Sequence, residues 1–471
     1  MITQAIVLAA GEGTRMKSQL PKVLHSIAGR SLLGHVLHAL DAIDPENIKV
    51  VVGAGREMVE AHLEQIAPDA IAVFQAERNG TGHAVQIALE GVKGSGQVLI
   101  LAGDTPMLSG ETLKEFVAAH LAGGFSASVM TAEHPDPTGY GRIIRSNENL
   151  ILKIVEEKDA SDDEKLIFEV NAGVYLFDLE SLTRTITKLK SNNAQGELYL
   201  TDVVELIRAG GGQVAPIVCE DFTETLGVND RIQLAEAAAI LRDRINQRHM
   251  QNGVSILDPT TTWIDDSVTI ASDVTVLPGS WILGSTAIAT GAVIGPRTTL
   301  QDCAVNSGAV VKESNCTASE IGANAVVGPF TYLRAGTVLA NESKAGAFVE
   351  IKNSQIGIGS KVPHLSYIGD ANIGEGTNIG AATIVVNYDG VTKHRTEIGD
   401  HVRIGSDTML IAPVSVGDGA YTAAGSVITE DVPSGAIGVA RSKQRNVLGW
   451  VLRKRPGTKS AKAAEKAEKG E

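Results

Sequence analysis

Residues 264–300 read IDDSVTIASDVTVLPGSWILGSTAIATGAVIGPRTTL. An aliphatic side chain returns at every sixth position: Ile264, Ile270, Val276, Ile282, Ile288, Ile294 and Leu300. A helix repeats its buried face at about 3.6 residues and a strand at about 2, so a period of six belongs to neither. It fits a coil of three short strands, about eighteen residues per turn, with one inward aliphatic residue on each side. Beyond Leu300 the phase slips near Cys316 and resumes at Ile321, Val327, Leu333 and Leu339. It returns at Ile373 and Ile379, then at Ile398, Ile404, Leu410, Val416 and Thr422. About nine coils at roughly 4.8 Å each would make a prism about 40 Å long. The competing reading is a β-sandwich with this spacing by chance, and so long an unbroken run of returns speaks against it.

Upstream the pattern differs. Across 1–226, short apolar runs such as Ala5-Ile6-Val7-Leu8-Ala9-Ala10, Ile48 to Gly53 and Val98 to Gly103 alternate with segments of helical spacing such as Leu32 to Leu40. That alternation predicts an α/β, doubly wound, Rossmann-like domain with a mainly parallel sheet. Residues 227–251 contain no proline and no glycine after Gly227; they read as one long helix, capped near Asn229 or Asp230, linking two domains. The repeats occupy 252–455. Turn signals and charge from Val386 to Thr396 break the hexad and predict a loop thrown out of the coil. The tail, 456–471, is rich in Lys, Ala and Glu and reads as disordered.

The chain has 471 residues, too many for one core. Its net charge of −14 argues against nucleic acid, which needs a basic footprint, and leaves room for small phosphorylated substrates. No apolar run approaches about 18 residues, and Met1-Ile2-Thr3-Gln4 lacks the basic start of a signal peptide, so no membrane insertion is expected. Cys219, Cys303 and Cys316 fit neither a zinc pattern nor a disulfide framework, which points to a reducing, cytoplasmic setting.

Chemistry concentrates at two places. Leu8-Ala9-Ala10-Gly11-Glu12-Gly13-Thr14-Arg15-Met16 follows the first strand, where a glycine-rich turn presents N–H groups to phosphate. Leu20-Pro21-Lys22-Val23-Leu24 follows shortly. Together they resemble the signature of the sugar-phosphate nucleotidyltransferases. The resemblance implies that Leu8, Ala9, Ala10, Gly11 and Lys22 hold a nucleoside triphosphate, with Arg15 and Lys22 on its phosphates. It implies that Gln75, Gly80 and Thr81 read uracil, and that Asp104, after Gly103, binds Mg²⁺ with Asn229. Gly141, Glu156, Asn171 and Asn229 would bind the sugar. Two anions must meet in line at phosphorus, so the cations serve to neutralise charge and no protein nucleophile is needed. Ala102, where relatives often have Tyr, and Ala172, in place of Thr, bear on specificity and not on the chemistry.

The second place is His364-Leu365-Ser366-Tyr367-Ile368-Gly369-Asp370, followed by Asn378-Ile379-Gly380-Ala381 and Asn387-Tyr388-Asp389-Gly390. With both halves matching in order over about 455 residues, the chain resembles the bacterial bifunctional glucosamine-1-phosphate N-acetyltransferase/N-acetylglucosamine-1-phosphate uridyltransferase family. That resemblance implies a left-handed parallel β-helix, three copies packed as a homotrimer, and acetyl-CoA and UTP as co-substrates. It implies His364 as the base that deprotonates the glucosamine nitrogen, a task suited to an imidazole titrating near ~6.5. Arg334, Lys352, Tyr367 and Asn378 would bind glucosamine 1-phosphate. Ala381, Asn387, Tyr388, Ser406, Ala424 and Arg441 would line the acetyl-CoA groove. Ala382, where relatives often have Gly, would add a methyl near that groove. Cys303 and Cys316 are read as packing residues. The alternatives are a single nucleotidyltransferase with a regulatory β-helix and a non-enzymatic scaffold.

Overall fold

The computed structural model describes residues 2–470. The chain forms two compact units that divide between Ala287 and Ile288.

In the first unit the strand order is Val214–Val218, Ala127–Glu133, Glu169–Asp178, Gln97–Ala102, Ile2–Ala9, Ile48–Val52, Ile71–Phe74. Ile2–Ala9 runs parallel to both of its neighbours. Alternate side chains of the same strands feed two cores. Ala5, Val7, Val50, Val52, Leu99 and Leu101 face one core with Val36, Leu63 and Phe116 from helices. Ile6, Val51, Val98 and Ile100 face the other with Val85, Ile186 and Val203. A sheet buried on both sides needs such continuous apolar strands, which is why they are legible as runs. Glu169–Asp178 departs from the parallel pattern, lying antiparallel to both Gln97–Ala102 and Ala127–Glu133. The chain reaches it through the short antiparallel pair Arg142–Arg145 and Ile151–Val155 and a single helical turn, Asp162–Lys165, where a parallel return would need a longer crossover.

The predicted long helix spans Arg231–Gln251, and the Asp230 side chain caps it by accepting from the N–H groups of Ile232 and Gln233. It is packed along its length: Ala237 and Leu241 share a core with Ile27, Leu32 and Met107. The first repeats belong to this same unit. Trp263 pairs with Trp281 and Ile264 with Ile282, one eighteen-residue coil apart, and the two indoles stack at 5.4 Å.

The second unit continues the hexads as three sheets of parallel strands, each strand pairing with the third one after it until the last pair, Tyr421–Thr422 with Ile437–Gly438. Ile321, Val327, Leu333, Ile351, Ile368 and Ile379 point inward and are fully buried. The phase slip near Cys316 has a simple cause: Val310 pairs with Val326, a coil two residues shorter than that from Val326 to Lys344. Between Asn378 and its partner Arg403 the coil is longer, because residues 387–395 leave the prism as expected. Asp389 organises that loop by accepting from the N–H groups of Val391 and Thr392 and from His394 Nε2. Corners carry left-handed residues without glycine, among them Asp370 and Ala382. The tail that reads as disordered in sequence is helical over Lys459–Glu468, capped by the Thr458 side chain. Its Ala, Lys and Glu are strong helix formers, and the cap supplies the start that composition alone does not reveal.

Candidate functional site

The two places singled out in sequence lie in different units. In the first, the strand Ile2–Ala9 delivers the chain to a tight turn at Thr14–Met16, entered through Gly13 at φ 60°. A second turn, Lys22–Leu24, folds back over it. A Cβ on Gly13 would lie 2.6 Å from the Cβ of Lys22, so the close approach of the two turns requires glycine. Lys22 is thereby aimed at the carboxyl end of the sheet. Its ammonium forms an ion pair with Asp104 and donates to Asn229 Oδ1 at 3.1 Å. Three segments far apart in sequence thus converge on one point.

A cavity of about 600 Å³ opens beside them, lined by Leu8, Ala9, Ala10, Gly11, Lys22, Gln75, Gly80, Thr81 and Asp104. Gln75 is buried, and its Nε2 donates to the Gly80 carbonyl at 3.1 Å. Gly80, at φ 99°, leaves no room for a side chain: a Cβ would meet the Leu198 carbonyl at 2.5 Å. Thr81 Oγ1 accepts from Leu200 N–H. Arg15 is exposed on its turn and does not line the cavity.

Gly141, Glu156 and Asn171 form a neighbouring group. Asn171 N–H donates to the Gly141 carbonyl at 2.8 Å, and Asn171 Nδ2 donates to Tyr175 Oη at 2.6 Å. A Cβ on Gly141 would stand 3.5 Å from both Glu156 carboxylate oxygens. Burial, then the charges of Asp202 and Asp159, raise the Glu156 carboxyl above the usual range, against a hydrogen bond from Thr201. Sequence reasoning passes over Arg78, which lines the cavity paired to Glu12, and Tyr140, whose phenol bonds the Gly227 backbone near Asp104. Neither sits in a motif; both arrive through loops.

Asp104 and Asn229 offer one carboxylate and one amide oxygen, both already turned to a cation. Hard oxygens held around a positive charge suit Mg²⁺, which takes its remaining ligands from phosphate and water. Among the described residues no group of three or more His, Cys, Asp or Glu could hold a metal ion.

In the second unit, Lys361–His364 ends at His364, whose ring is exposed. The adjacent sheet brings Glu350 beside Tyr367, and Lys352 beside Gly369. Arg334 forms an ion pair with Glu350 at 3.0 Å. Gly369 is the floor: a Cβ there would lie 2.5 Å from Tyr367 Oη and 2.8 Å from Asn387 Nδ2. Asp370 is buried, accepts from Asn353 Nδ2 at 2.6 Å and from Asn387 Nδ2, and lies 3.7 Å from Lys352 Nζ. Lys393, on the thrown-out loop, sits against Lys352, and that contact lowers its ammonium below its ordinary value. Sequence reasoning gives neither Asp370 nor Lys393 a role, one being a corner residue and the other one charge among several in a loop.

Ala381, Ser406 and Ala424 stack on successive coils. Gly380 and Gly405 make that stack possible, since a Cβ on either would come within 2.5 Å of the N–H nitrogen of Ser406 or Ala424. Asn378 pairs with Arg403 in the same sheet. Tyr388 is exposed, its hydroxyl donating to the Gly390 carbonyl. Arg441 lies exposed, outside the strands.

Residues 5–159 match the MobA-like NTP transferase domain, and residues 395–430 match the bacterial transferase hexapeptide family of six repeats. Over 467 residues the chain is 54% identical to the bifunctional protein GlmU of Streptomyces avermitilis, covering 98% of this chain and 97% of that one. The protein of the same name from Streptomyces coelicolor is 54% identical over 463 residues (98% and 96%), and that from Mycolicibacterium gilvum 51% over 473 residues (98% and 94%). A structural alignment with the inositol-1-phosphate CTP transferase from T. maritima covers 51% of this chain and 96% of that one, at a TM-score of 0.41 and 19% identity. With an N-terminal transferase domain, a C-terminal hexapeptide coil and identity above half along nearly its whole length, the chain belongs to the bifunctional GlmU family.

Proposed function

We infer that the chain makes UDP-N-acetylglucosamine in two consecutive transfers, one in each unit. The observation that carries this is the pair of separate sites, Lys22–Asp104–Asn229 in one unit and the cluster around Lys352, Gly369 and Asn387 in the other.

In the first transfer, Arg334 and Lys352 hold the phosphate of glucosamine 1-phosphate, and Tyr367 and Asn378 hold the sugar. The thioester of acetyl-CoA lies along Ala381, Ser406 and Ala424, with Asn387 and Tyr388 beside the acetyl group and Arg441 on the coenzyme. His364 takes a proton from the ammonium, and the freed amine attacks the thioester carbonyl. The C–S bond then breaks; of the two protons the nitrogen gives up in becoming an amide, one passes to the departing thiolate and the other to solvent. In the second transfer, Gln75, Gly80 and Thr81 hold the uracil of UTP, and the turn from Leu8 to Gly11 holds its phosphates. Gly103, Gly141, Glu156, Asn171 and Asn229 hold N-acetylglucosamine 1-phosphate. A phosphate oxygen attacks the α-phosphorus in line and pyrophosphate departs, with Lys22 and Arg15 balancing the charge. Asp104 and Asn229 hold Mg²⁺, which supplies further charge neutralisation when bound.

Three copies assemble through the hexapeptide coil, and the protein works in the cytoplasm. Two facts support the cytoplasmic reading: no helix among the described residues is long and apolar enough to cross a membrane, and Cys219, Cys303 and Cys316 are buried thiols. The test is to supply glucosamine 1-phosphate, acetyl-CoA, UTP and Mg²⁺ and omit each in turn. Loss of acetyl-CoA should leave uridyl transfer to supplied N-acetylglucosamine 1-phosphate intact. A chain that transfers uridyl but never acetyl groups would be a single nucleotidyltransferase with a structural coil.

A further inference from the structure

We propose that Asp370 is a positioning residue for acetyl transfer, which sets the side-chain orientation of Asn387 and fixes both ends of the loop at residues 387–395. The inference rests on the acetyltransferase reading of this unit.

Asp370 occupies a corner between the strands Tyr367–Gly369 and Ala371–Ile373, at φ 52°. It is 8% exposed. A buried carboxylate is costly unless its oxygens are satisfied, and here both are. Oδ1 accepts from Asn353 Nδ2 at 2.6 Å, and Oδ2 accepts from Asn387 Nδ2 with Lys352 Nζ 3.7 Å away. Its backbone closes the same knot. Asp370 N–H donates to the Lys352 carbonyl at 3.0 Å, and its carbonyl accepts from Thr396 N–H at 3.2 Å. The side chain therefore grips the residue where the loop leaves, and the main chain grips the residue where it returns. Burial alone would raise this carboxyl, but the Asn353 and Asn387 hydrogen bonds and the nearby Lys352 and Lys393 charges outweigh it and hold it below the usual range.

The consequence for Asn387 follows from hydrogen-bond chemistry. A carboxylate only accepts, so the Asn387 amide must turn its NH₂ to Asp370 and leave Oδ1 as the atom free to face substrate. Asn387 then presents an acceptor, suited to an attacking N–H, and not a donor suited to a developing oxyanion. Gly369 keeps the arrangement tight, because Tyr367 Oη and Asn387 Nδ2 both lie where its Cβ would be.

The test exchanges the partners. Asp370→Asn keeps the shape and removes the charge; it can accept from Asn353 or from Asn387 but not from both. Asn387→Asp sets two carboxylates face to face. The double exchange, Asp370→Asn with Asn387→Asp, restores a donor against an acceptor and again presents an oxygen outward. Acetyl transfer is followed by release of the CoA thiol, and uridyl transfer by the same full-length preparations reports folding. Each single substitution should lower kcat for acetyl transfer about ten- to a hundredfold, the scale of a misplaced reacting group. KM for glucosamine 1-phosphate should not rise in Asp370→Asn, since a negative charge has left the lysines. The exchanged pair should recover about tenfold over the poorer single variant, and uridyl transfer should stay at the wild-type level in all three. Wild-type kcat in Asp370→Asn, or an exchanged pair as slow as the product of the two single losses, overturns the inference alone. Absence of acetyl transfer in the wild-type protein overturns the functional reading with it.

Discussion

A Cβ placed on Gly13 would stand 2.6 Å from Lys22 Cβ and 3.6 Å from Lys22 Cα. Carbon atoms rest at about 3.5–4.0 Å, so in Gly13→Ala the Lys22 turn must retreat by about 1 Å. The neighbour is the root of the side chain and not a flexible tip, so the whole turn moves and the ammonium with it. Displacement of that size at a reacting centre costs about a hundredfold in rate, or about 2.7 kcal/mol in barrier. A second effect must be separated: Gly13 has φ 60°, and alanine there is strained by about 1–2 kcal/mol whatever its neighbours. Gly124 supplies the control. It has φ 61°, and a Cβ on it would meet nothing within 4 Å. Gly124→Ala should lose comparable stability and keep its activity. Pyrophosphate release from UTP and N-acetylglucosamine 1-phosphate measures the first site, and acetyl transfer by the same preparation measures the second. Gly13→Ala should lose about a hundredfold in uridyl transfer and nothing in acetyl transfer. A loss under about threefold, or an equal loss in Gly124→Ala, would refute the steric argument.

His364→Ala should abolish acetyl transfer and spare uridyl transfer, because His364 and Lys22 lie in different units; equal loss of both in a folded variant would sink the two-site reading. Asp104→Asn should do the reverse and raise the Mg²⁺ concentration needed for half-maximal uridyl transfer, and a normal Mg²⁺ response would remove Asp104 from that role. Burial, with Glu224 and Asp221 nearby, pushes the Cys219 thiol up to about 11, and burial raises Cys303 and Cys316 as well. A thiolate-directed alkylating reagent near neutral pH should therefore leave the native chain unlabelled and attach three groups after denaturation.

The hexads are legible because the coil puts one inward residue at a constant interval, so the pattern carries its own register. Ile321, Leu333 and Ile379 are buried where that interval places them. What periodicity cannot show is the short coil at Val310–Val326, which appears in sequence only as a lost phase. The motif residues Lys22, Asp104 and Asn229 are legible one by one, while their meeting on a single ammonium depends on the sheet. Asp370 stands inside a legible motif and its work is invisible there, because its partners come from two other segments, Lys352-Asn353 and Asn387. Ala382 teaches the converse. Its methyl reads in sequence as a matter for the coenzyme groove, but its φ of 60° makes glycine the unstrained residue there on backbone grounds alone.

The two lysine–carboxylate pairs differ in a way that can be measured. Lys22 is held by Asp104 and Asn229, and these are the same oxygens proposed for Mg²⁺. Ammonium and metal therefore compete for one place, and metal binding must release Lys22 towards the triphosphate. Asp370 is also gripped by amides from Asn353 and Asn387, so Lys352 faces a partner already committed elsewhere. Lys22→Met removes the competing cation and keeps an unbranched side chain of similar length. It should bind Mn²⁺, used as a paramagnetic substitute for Mg²⁺, more tightly than the wild type in the absence of nucleotide, while its uridyl transfer falls. Lys352→Met should change neither. Electron paramagnetic resonance of free Mn²⁺ titrated with each variant reads the affinity directly. Equal or weaker Mn²⁺ binding by Lys22→Met would mean that the ammonium does not hold the metal's place, and the competition between Lys22 and the cation would have to be abandoned.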